Sequence, residues 1–390
     1  MDLQLTTEQE MMATAARKMA AKCIEPVLRK HAASAPLPKA AMLEIYGALA
    51  DFGLTAARLP TELGGGGLSM IDYGLMIEQL PPVIALSLIS HEGTIMRIHA
   101  GATAEVRHAY LPDLIAGRKI ACAANSEEAA GSDANAVRTR LEMADGHARI
   151  TGRKMWISNA SVCDVVVASC AAEADGGGRP RIRRALVDRS QSEIEVRAIE
   201  LTGLKQGHLG ELVFERTMVP PSHLMDGEGD AGKYYVVGGN GNRPLLGLMA
   251  VNMAQRAFDM AREYATVRQQ FGQSLASCQL VQQDLAEIES AVISSRLMCL
   301  YALDCLDRGM RGDGTSAMAK RFATHHAERA VHLAMQVHGA MGISEELALE
   351  QLWRDVRVLQ VPDGTMGILA LIQARSLTGV AAFRPGMARP

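Results

Sequence analysis

Two carboxylates stand in settings where a carboxylate can move a proton. Asp363 lies in the string Pro362-Asp363-Gly364-Thr365, and Glu92 lies in His91-Glu92-Gly93-Thr94. A general base must sit against the proton it removes, with a pKa set by burial and nearby charge. Each group has a plainer reading. The first string is a good turn by composition alone, and a helical Glu is usually solvated or paired. Arg268, within Tyr264 to Gly272 (YATVRQQFG), presents a fork of donors that suits phosphate oxygens, or else is a surface arginine closing a helix. Trp156, one of two tryptophans, is either core or a flat wall for a ligand. The run Ser126 to Asp133 (SEEAAGSD) reads as a turn between strands, and equally as small residues whose hydroxyls and backbone N–H groups can lie against a bound group.

These residues fall in three textures. From Leu3 to about Gly117 the pattern is helical: Thr7 is placed to cap a first helix, and a second spans Lys39 to Phe52, ending at Gly53. Leu59 to Ser69 (LPTELGGGGLS) lacks the strand and GKS context of a phosphate loop, so it reads as a plain turn. Between Lys119 and Pro220 the runs shorten and turn β-rich. Asp145-Gly146 marks a hairpin between Thr139–Met143 and Ala148–Thr151. Further strands are expected at Val165–Cys170, Arg183–Val187, Glu195–Ile199 and Glu211–Phe214, about seven in all. Helical periodicity then returns, with long helices expected from about Arg243 to Arg268, Leu280 to Arg308 and Ser316 to Gly339. The order α, then β, then α excludes a doubly wound nucleotide fold, whose elements alternate.

Composition agrees. The chain has 390 residues, 48% hydrophobic and 4% aromatic, with 22 Met and a net charge of −3. That length favours more than one core, and there is no basic face of the kind nucleic acid requires. The densest basic patch, Arg179–Arg184, reads as a solvated loop rim. Seven cysteines without a CxxC pair suggest reduced thiols and a cytoplasmic location. The N-terminus lacks the pattern of a signal peptide, and no apolar run approaches a membrane span, so a soluble protein is expected.

Taken in order, four motifs resemble those of the acyl-CoA dehydrogenase family over essentially the whole chain. Ser126–Asp133 is similar to the family's flavin loop, departing from it at Asn125 and Glu128. Lys154 to Ala160 (KMWISNA) is similar to the stretch whose tryptophan covers the isoalloxazine and whose hydroxyl, here Ser158, bonds flavin N5. Tyr264–Gly272, followed by Gln279 to Gln282, resembles the segment that reaches the FAD of a neighbouring subunit. Gln336 to Gly342 (QVHGAMG), Arg354-Asp355 and Pro362–Thr365 resemble the family's C-terminal motifs.

The resemblance implies N-terminal helices over 1–118, a β-barrel-like middle domain over 119–228 and a C-terminal four-helix bundle over 229–390: a mainly α protein with a central all-β domain. It implies FAD as cofactor, with contacts from Ser126, Gly131, Ser132, Trp156, Ile157 and Ser158. Further cofactor contacts are implied at Arg268, Phe271, Leu275, Gln279, Gln336, Gly339 and Thr365. Arg243, Ser132 and Gly364 would touch an acyl-CoA or carrier-bound thioester. A homodimer or homotetramer and an electron-transfer flavoprotein partner follow, with a place in fatty acid metabolism; no metal is implied.

Most of the family uses a Glu where this chain has Asp363, shorter by one methylene, about 1.5 Å. The alternative base position of other members is Asn242 here, which accepts no proton. Three readings stay open: a loop that brings Asp363 closer; a flavin oxidase acting on a more acidic C–H, as in nitroalkane oxidases, which use an aspartate; or a flavin-binding homologue without a base. Glu92, on the helix that lines the family's acyl cavity, would be a second acid/base or a selector of polar acyl groups.

Overall fold

The computed structural model describes residues 4–133, 136–144, 146–172, 181–225 and 231–382, the stretch 231–238 by its backbone alone. Asp145 of the hairpin turn and Arg179 of the basic patch lie outside the described residues. The chain forms two compact units, 1–238 and 239–390.

The first unit opens with helices α1 (Thr7–Met19), α2 (Glu25–Arg29), α3 (Lys39–Asp51), α4 (Met70–Ile77), α5 (Pro82–Gly101) and α6 (Ala104–Ile115). The cap of α1 is Thr6, one residue before the expected Thr7. Thr6 Oγ1 accepts from the Gln9 N–H while Gln9 Oε1 accepts from the Thr6 N–H, both at 3.2 Å. That reciprocal pair needs Gln9 at the third helical position, which selects Thr6. Helix α3 ends as expected, with Gly53 in the left-handed region at φ 75°.

Eight strands follow: β1 (Ala121–Ala124), β2 (Arg140–Ala144), β3 (His147–Ser158), β4 (Val165–Ala172), β5 (Arg181–Asp188), β6 (Glu195–Ala198), β7 (Leu209–Val219) and β8 (Leu224–Met225). They make one mixed sheet in the order β6-β7-β3-β2-β4-β5-β8, with β1 also parallel to β4. Strand β4 is apolar except at Ser169 because both its faces are covered. Val165 and Val167 pack with Ile95, Ile98 and Leu114 of α5 and α6. The alternate residues Val166, Ala168 and Cys170 join Ile150, Ile157 and Phe214 on the other face.

The expected closed barrel is corrected here. The sheet is open, with β6 at one end of its order and β8 at the other. Closure needs a continuous ladder between the end strands. β8 pairs with β5 over only two residues, and β6 is a four-residue strand with largely exposed side chains. The chain is therefore mostly helical with a central mixed sheet.

The second unit holds most of α7 (Ala231–Val267), the short strands β9 (Gln269–Gln270) and β10 (Gln273–Ser274), and helices α8 (Gln279–Asp307), α9 (Asp313–His338), α10 (Leu349–Val358) and α11 (Met366–Thr378). Helix α7 begins well before the expected Arg243 and carries Pro244 in its interior. Leu245, Leu246, Leu248, Met249 and Val251 are all buried, and packing on that scale outweighs the local cost of Pro and Gly. A side chain on Gly247 would start 2.4 Å from Cys299 Sγ and 3.2 Å from Ala323 Cβ. Helices α7, α8 and α9 meet there with room only for glycine. The buried stripe of α9 is built from small residues such as Ser316, Ala317, Ala323, Ala327 and Ala330, with Lys320 among them. Among the described residues no helix is long and apolar enough to cross a membrane.

Candidate functional site

In the first unit, β3 carries the segment from Lys154 to Ser158. Lys154 pairs with Leu212 and Ile157 with Gly210 of β7, so Met155 and Trp156 together face Glu211. This is a β-bulge, which re-aims the side chain it carries. Trp156 takes the left-handed conformation at φ 62°, uncommon for a bulky residue, and its side chain is 54% exposed. The Ser126 carbonyl accepts from the Met155 N–H at 2.9 Å. The structure therefore brings the Ser126–Asp133 loop and the Trp156 bulge side by side. Ser126 and Ser158 are half-buried, and Gly131 and Ser132 are exposed. Ile157 points into the core, leaving its backbone as the part that can meet a ligand.

A buried ion pair lies beneath this loop. Lys154 Nζ donates to Glu127 Oε1 at 2.7 Å and to the Asn125 carbonyl at 3.1 Å. The Glu127 carboxylate also accepts the N–H groups of Arg138 and Thr139 at 2.7 and 3.0 Å. Burial alone would raise the Glu127 pKa; the Lys154 ammonium and these amides outweigh it and hold it below the usual carboxylate value. Asn125, a departure from the family motif, accepts from Ser169 Oγ at 2.7 Å, which satisfies a polar residue where an apolar one is usual.

Glu92 is fully buried on α5. Arg58 donates from Nε to Oε1 at 2.8 Å and from Nη2 to Oε2, a two-pronged pair. The Arg58 guanidinium also lies 5.7 Å from the Tyr73 ring centroid. Both carboxylate oxygens of Glu92 are engaged. Beside it, His91 Nδ1 accepts the Ala121 N–H at 3.0 Å and Nε2 reaches the Leu114 carbonyl at 3.1 Å.

In the second unit, β9 and β10 form a minimal hairpin whose tip is Phe271-Gly272, at φ 52° and 77°. Two left-handed residues make the tight turn that matches strand twist. Phe271 is 97% exposed, and Arg268 and Gln279 are exposed too. The Leu275 N–H donates to the Arg268 carbonyl at 2.9 Å and closes the hairpin base. Tyr264 stacks on His338 with centroids 4.4 Å apart, tying the end of α7 to the end of α9. That contact sets Arg268 and Phe271 at the same end of the unit as the exposed Gln336 and Gly339. Gly339 has φ 58° and ψ −131°, a backbone region open essentially to glycine alone.

Asp363 and Gly364 also have positive φ, 53° and 113°. Arg243, 8% exposed, directs Nε to the Asp363 carbonyl at 3.0 Å and Nη1 to Asn240 Oδ1 at 3.1 Å. Lys320, fully buried, donates to the carbonyls of Gln360 at 3.4 Å and Gly364 at 2.7 Å, and to that of Pro362. Burial pushes the Lys320 pKa down to about 8, against the pull of the Asp363 charge. Thr365 is exposed at the start of α11. Sequence reasoning missed Lys320, Lys154 and Arg58. The signal for Lys320 was present: a lysine at a core position of a helix whose other core residues are nearly all small must find partners.

The comparisons with known proteins agree along the whole chain. Family models for the acyl-CoA dehydrogenase N-terminal, middle and C-terminal domains match residues 6–118, 122–217 and 234–378. A probable acyl-CoA dehydrogenase of Mycobacterium tuberculosis is 30% identical, with 96% of each chain covered. An acryloyl-CoA reductase (NADH) of Anaerotignum propionicum is 28% identical, over 97% of this chain and 96% of its own. Among solved structures, a glutaryl-CoA dehydrogenase of Mycobacterium smegmatis superposes with a TM-score of 0.89 at 26% identity, with 97% of both chains covered.

Proposed function

The chain belongs to the acyl-CoA dehydrogenase family and is an oxidoreductase of that class, and we propose that it removes hydrogen across the α,β carbon–carbon bond of an acyl-CoA, with FAD as cofactor and Asp363 as base. The observation that carries the reading is the Asp363 loop, whose backbone is tied down by Arg243 and Lys320 on both sides of the carboxylate. A base held in one place by rigid elements is what proton abstraction from carbon requires.

The described residues fit the cofactor. An exposed indole on a strained bulge, next to a hydroxyl-bearing loop anchored from below, suits one face and one polar edge of a flat ring system. When bound, FAD supplies the acceptor for the hydride that leaves Cβ. The chain's own residues do the rest. The Asp363 carboxylate takes the proton from Cα as the thioester carbonyl gains negative charge, and hydrogen-bond donors facing that oxygen lower the barrier. Ser158 and the backbone of Ile157 hold the ring edge, and Ser126, Gly131 and Ser132 line its polar side. The exposed Arg268 and Phe271, with Leu275, Gln279, Gln336, Gly339 and Thr365, serve the FAD of a second copy in a homodimer or tetramer. Electrons leave to an electron-transfer flavoprotein.

Exchange at Cα tests the assignment of the base. Incubated with saturated acyl-CoAs in D2O without an electron acceptor, the FAD-loaded protein places deuterium at Cα, and Asp363→Asn slows this by about 10³-fold. Equal exchange by both proteins rules Asp363 out as the base. Rapid turnover of nitroalkanes with oxygen, and none of acyl-CoA, replaces the reading with an oxidase.

A further inference from the structure

A lysine ammonium has three protons to donate, and Lys320 gives all of them to one loop: the carbonyls of Gln360, Pro362 and Gly364. Arg243 takes the carbonyl between the last two, that of Asp363. Every carbonyl from Pro362 to Gly364 is thus bound by a buried cation. Taking an ammonium out of water costs several kcal/mol before its partners repay it, and a methionine of similar length would fill the same space without that cost. The loop gains what packing alone does not supply. Asp363 sits in the left-handed region, which Asp tolerates better than most residues but which does not by itself fix where its carboxylate points. On its N-terminal side the loop is tied to α9 and α10, where Gln360 Nε2 donates to Glu328 at 2.7 Å and the Val361 N–H donates to the Val358 carbonyl at 3.2 Å; on the other side α11 begins directly after Thr365.

We propose that Lys320 is the positioning residue for Asp363: by gripping the carbonyls on either side of it, the ammonium holds the carboxylate where the substrate proton is taken. This rests on Asp363 being the base. Lys320 touches neither substrate nor cofactor in this role, so it acts on the rate of proton removal and leaves acyl-CoA affinity alone.

The test uses the FAD-loaded full chain and Lys320→Met, alone and combined with Asp363→Asn. Lys320→Met slows anaerobic flavin reduction by about 10²-fold, with the acyl-CoA KM changed by less than about twofold and flavin content unchanged. Placed on the Asp363→Asn background it adds no further loss, because the group it positions is already gone. Losses that multiply, or a change confined to KM or flavin retention, overturn the proposal. Amide hydrogen exchange supplies a readout independent of turnover. Peptides covering 361–366 exchange faster in Lys320→Met while those of α8 do not; unchanged exchange at 361–366 overturns the positioning role. If the wild-type protein is inert towards every acyl-CoA yet this local loosening appears, the enzymatic reading fails, and Lys320 is left as the residue that orders the loop rather than one that positions a base. Lys320→Gln, which keeps a polar end, carries the same readouts should the methionine variant fail to fold.

Discussion

Glu92 and Asp363 differ in what their surroundings already ask of them. Both oxygens of the fully buried Glu92 are held by Arg58, whose own side chain is 17% exposed, so accepting a proton would break a two-pronged pair. Its role is structural in these terms: Glu92→Gln leaves the Arg58 charge buried and unmatched and lowers stability by about 3–5 kcal/mol. A denaturation midpoint reads this, and flavin reduction by acyl-CoA keeps its wild-type rate once the protein is folded; a slowed reduction in a folded variant assigns Glu92 to the chemistry. Asp363 is only half-buried, on a backbone fixed by two cations. Since the loop is built for the shorter side chain, Asp363→Glu moves the carboxylate by about 1.5 Å and slows proton removal by about 10²-fold rather than improving it. A faster Glu variant would show that the loop is a slack copy of the family's.

At the scale of elements, the strand and loop that carry the flavin motifs are more informative than the motifs. Trp156 was legible as a candidate wall in the sequence, but its left-handed backbone was not, because nothing in the residue type asks for it; the bulge against Glu211 imposes it. The strain is testable. Trp156→Gly relieves it and loses little packing from an exposed ring, so stability stays level or rises by about 1 kcal/mol while FAD binds more weakly. A variant that unfolds more easily and binds FAD as before reverses the assignment. The buried ion pair Glu127–Lys154 was hidden for a different reason: charged residues read as exposed unless a partner is seen, and the partner lies 27 residues away. The hairpin, the apolar β4 and the α–β–α order were legible because β-rich apolar runs and turn residues act locally. Barrel closure was not, since it depends on two end strands too short to meet.

The α5–β1 junction gives one element a pH signature. His91 Nδ1 accepts from the Ala121 amide, so its proton sits on Nε2 and a second proton has nowhere to go. Burial pushes its pKa from 6.5 down to about 4, against the Leu114 carbonyl. Between those values the unfolded chain binds a proton that the folded one refuses, so stability falls as pH drops from about 6.5, by up to about 1.4 kcal/mol per pH unit from this group. Urea midpoints at pH 7 and pH 5 measure the slope. His91→Gln flattens it, and an unchanged slope in that variant places the acid lability elsewhere.

For the whole molecule, the family match, the mixed sheet and the helical second unit are consistent with a flavin-dependent acyl-CoA oxidoreductase. The exposed hairpin with Phe271 at its tip supports an assembly in which a second copy covers it. Native mass spectrometry of the FAD-loaded protein reads out a dimer or tetramer with one FAD per chain, and Phe271→Ala loosens the FAD without moving Asp363. A monomer that retains FAD fully removes the cross-subunit reading. The most direct measurement of the central claim is the visible flavin absorbance on anaerobic mixing with saturated acyl-CoAs of graded length. The account predicts bleaching by at least one of them in the wild-type protein and its loss in Asp363→Asn. An equally fast bleach in Asp363→Asn, or a flavin that no acyl-CoA bleaches, would contradict it.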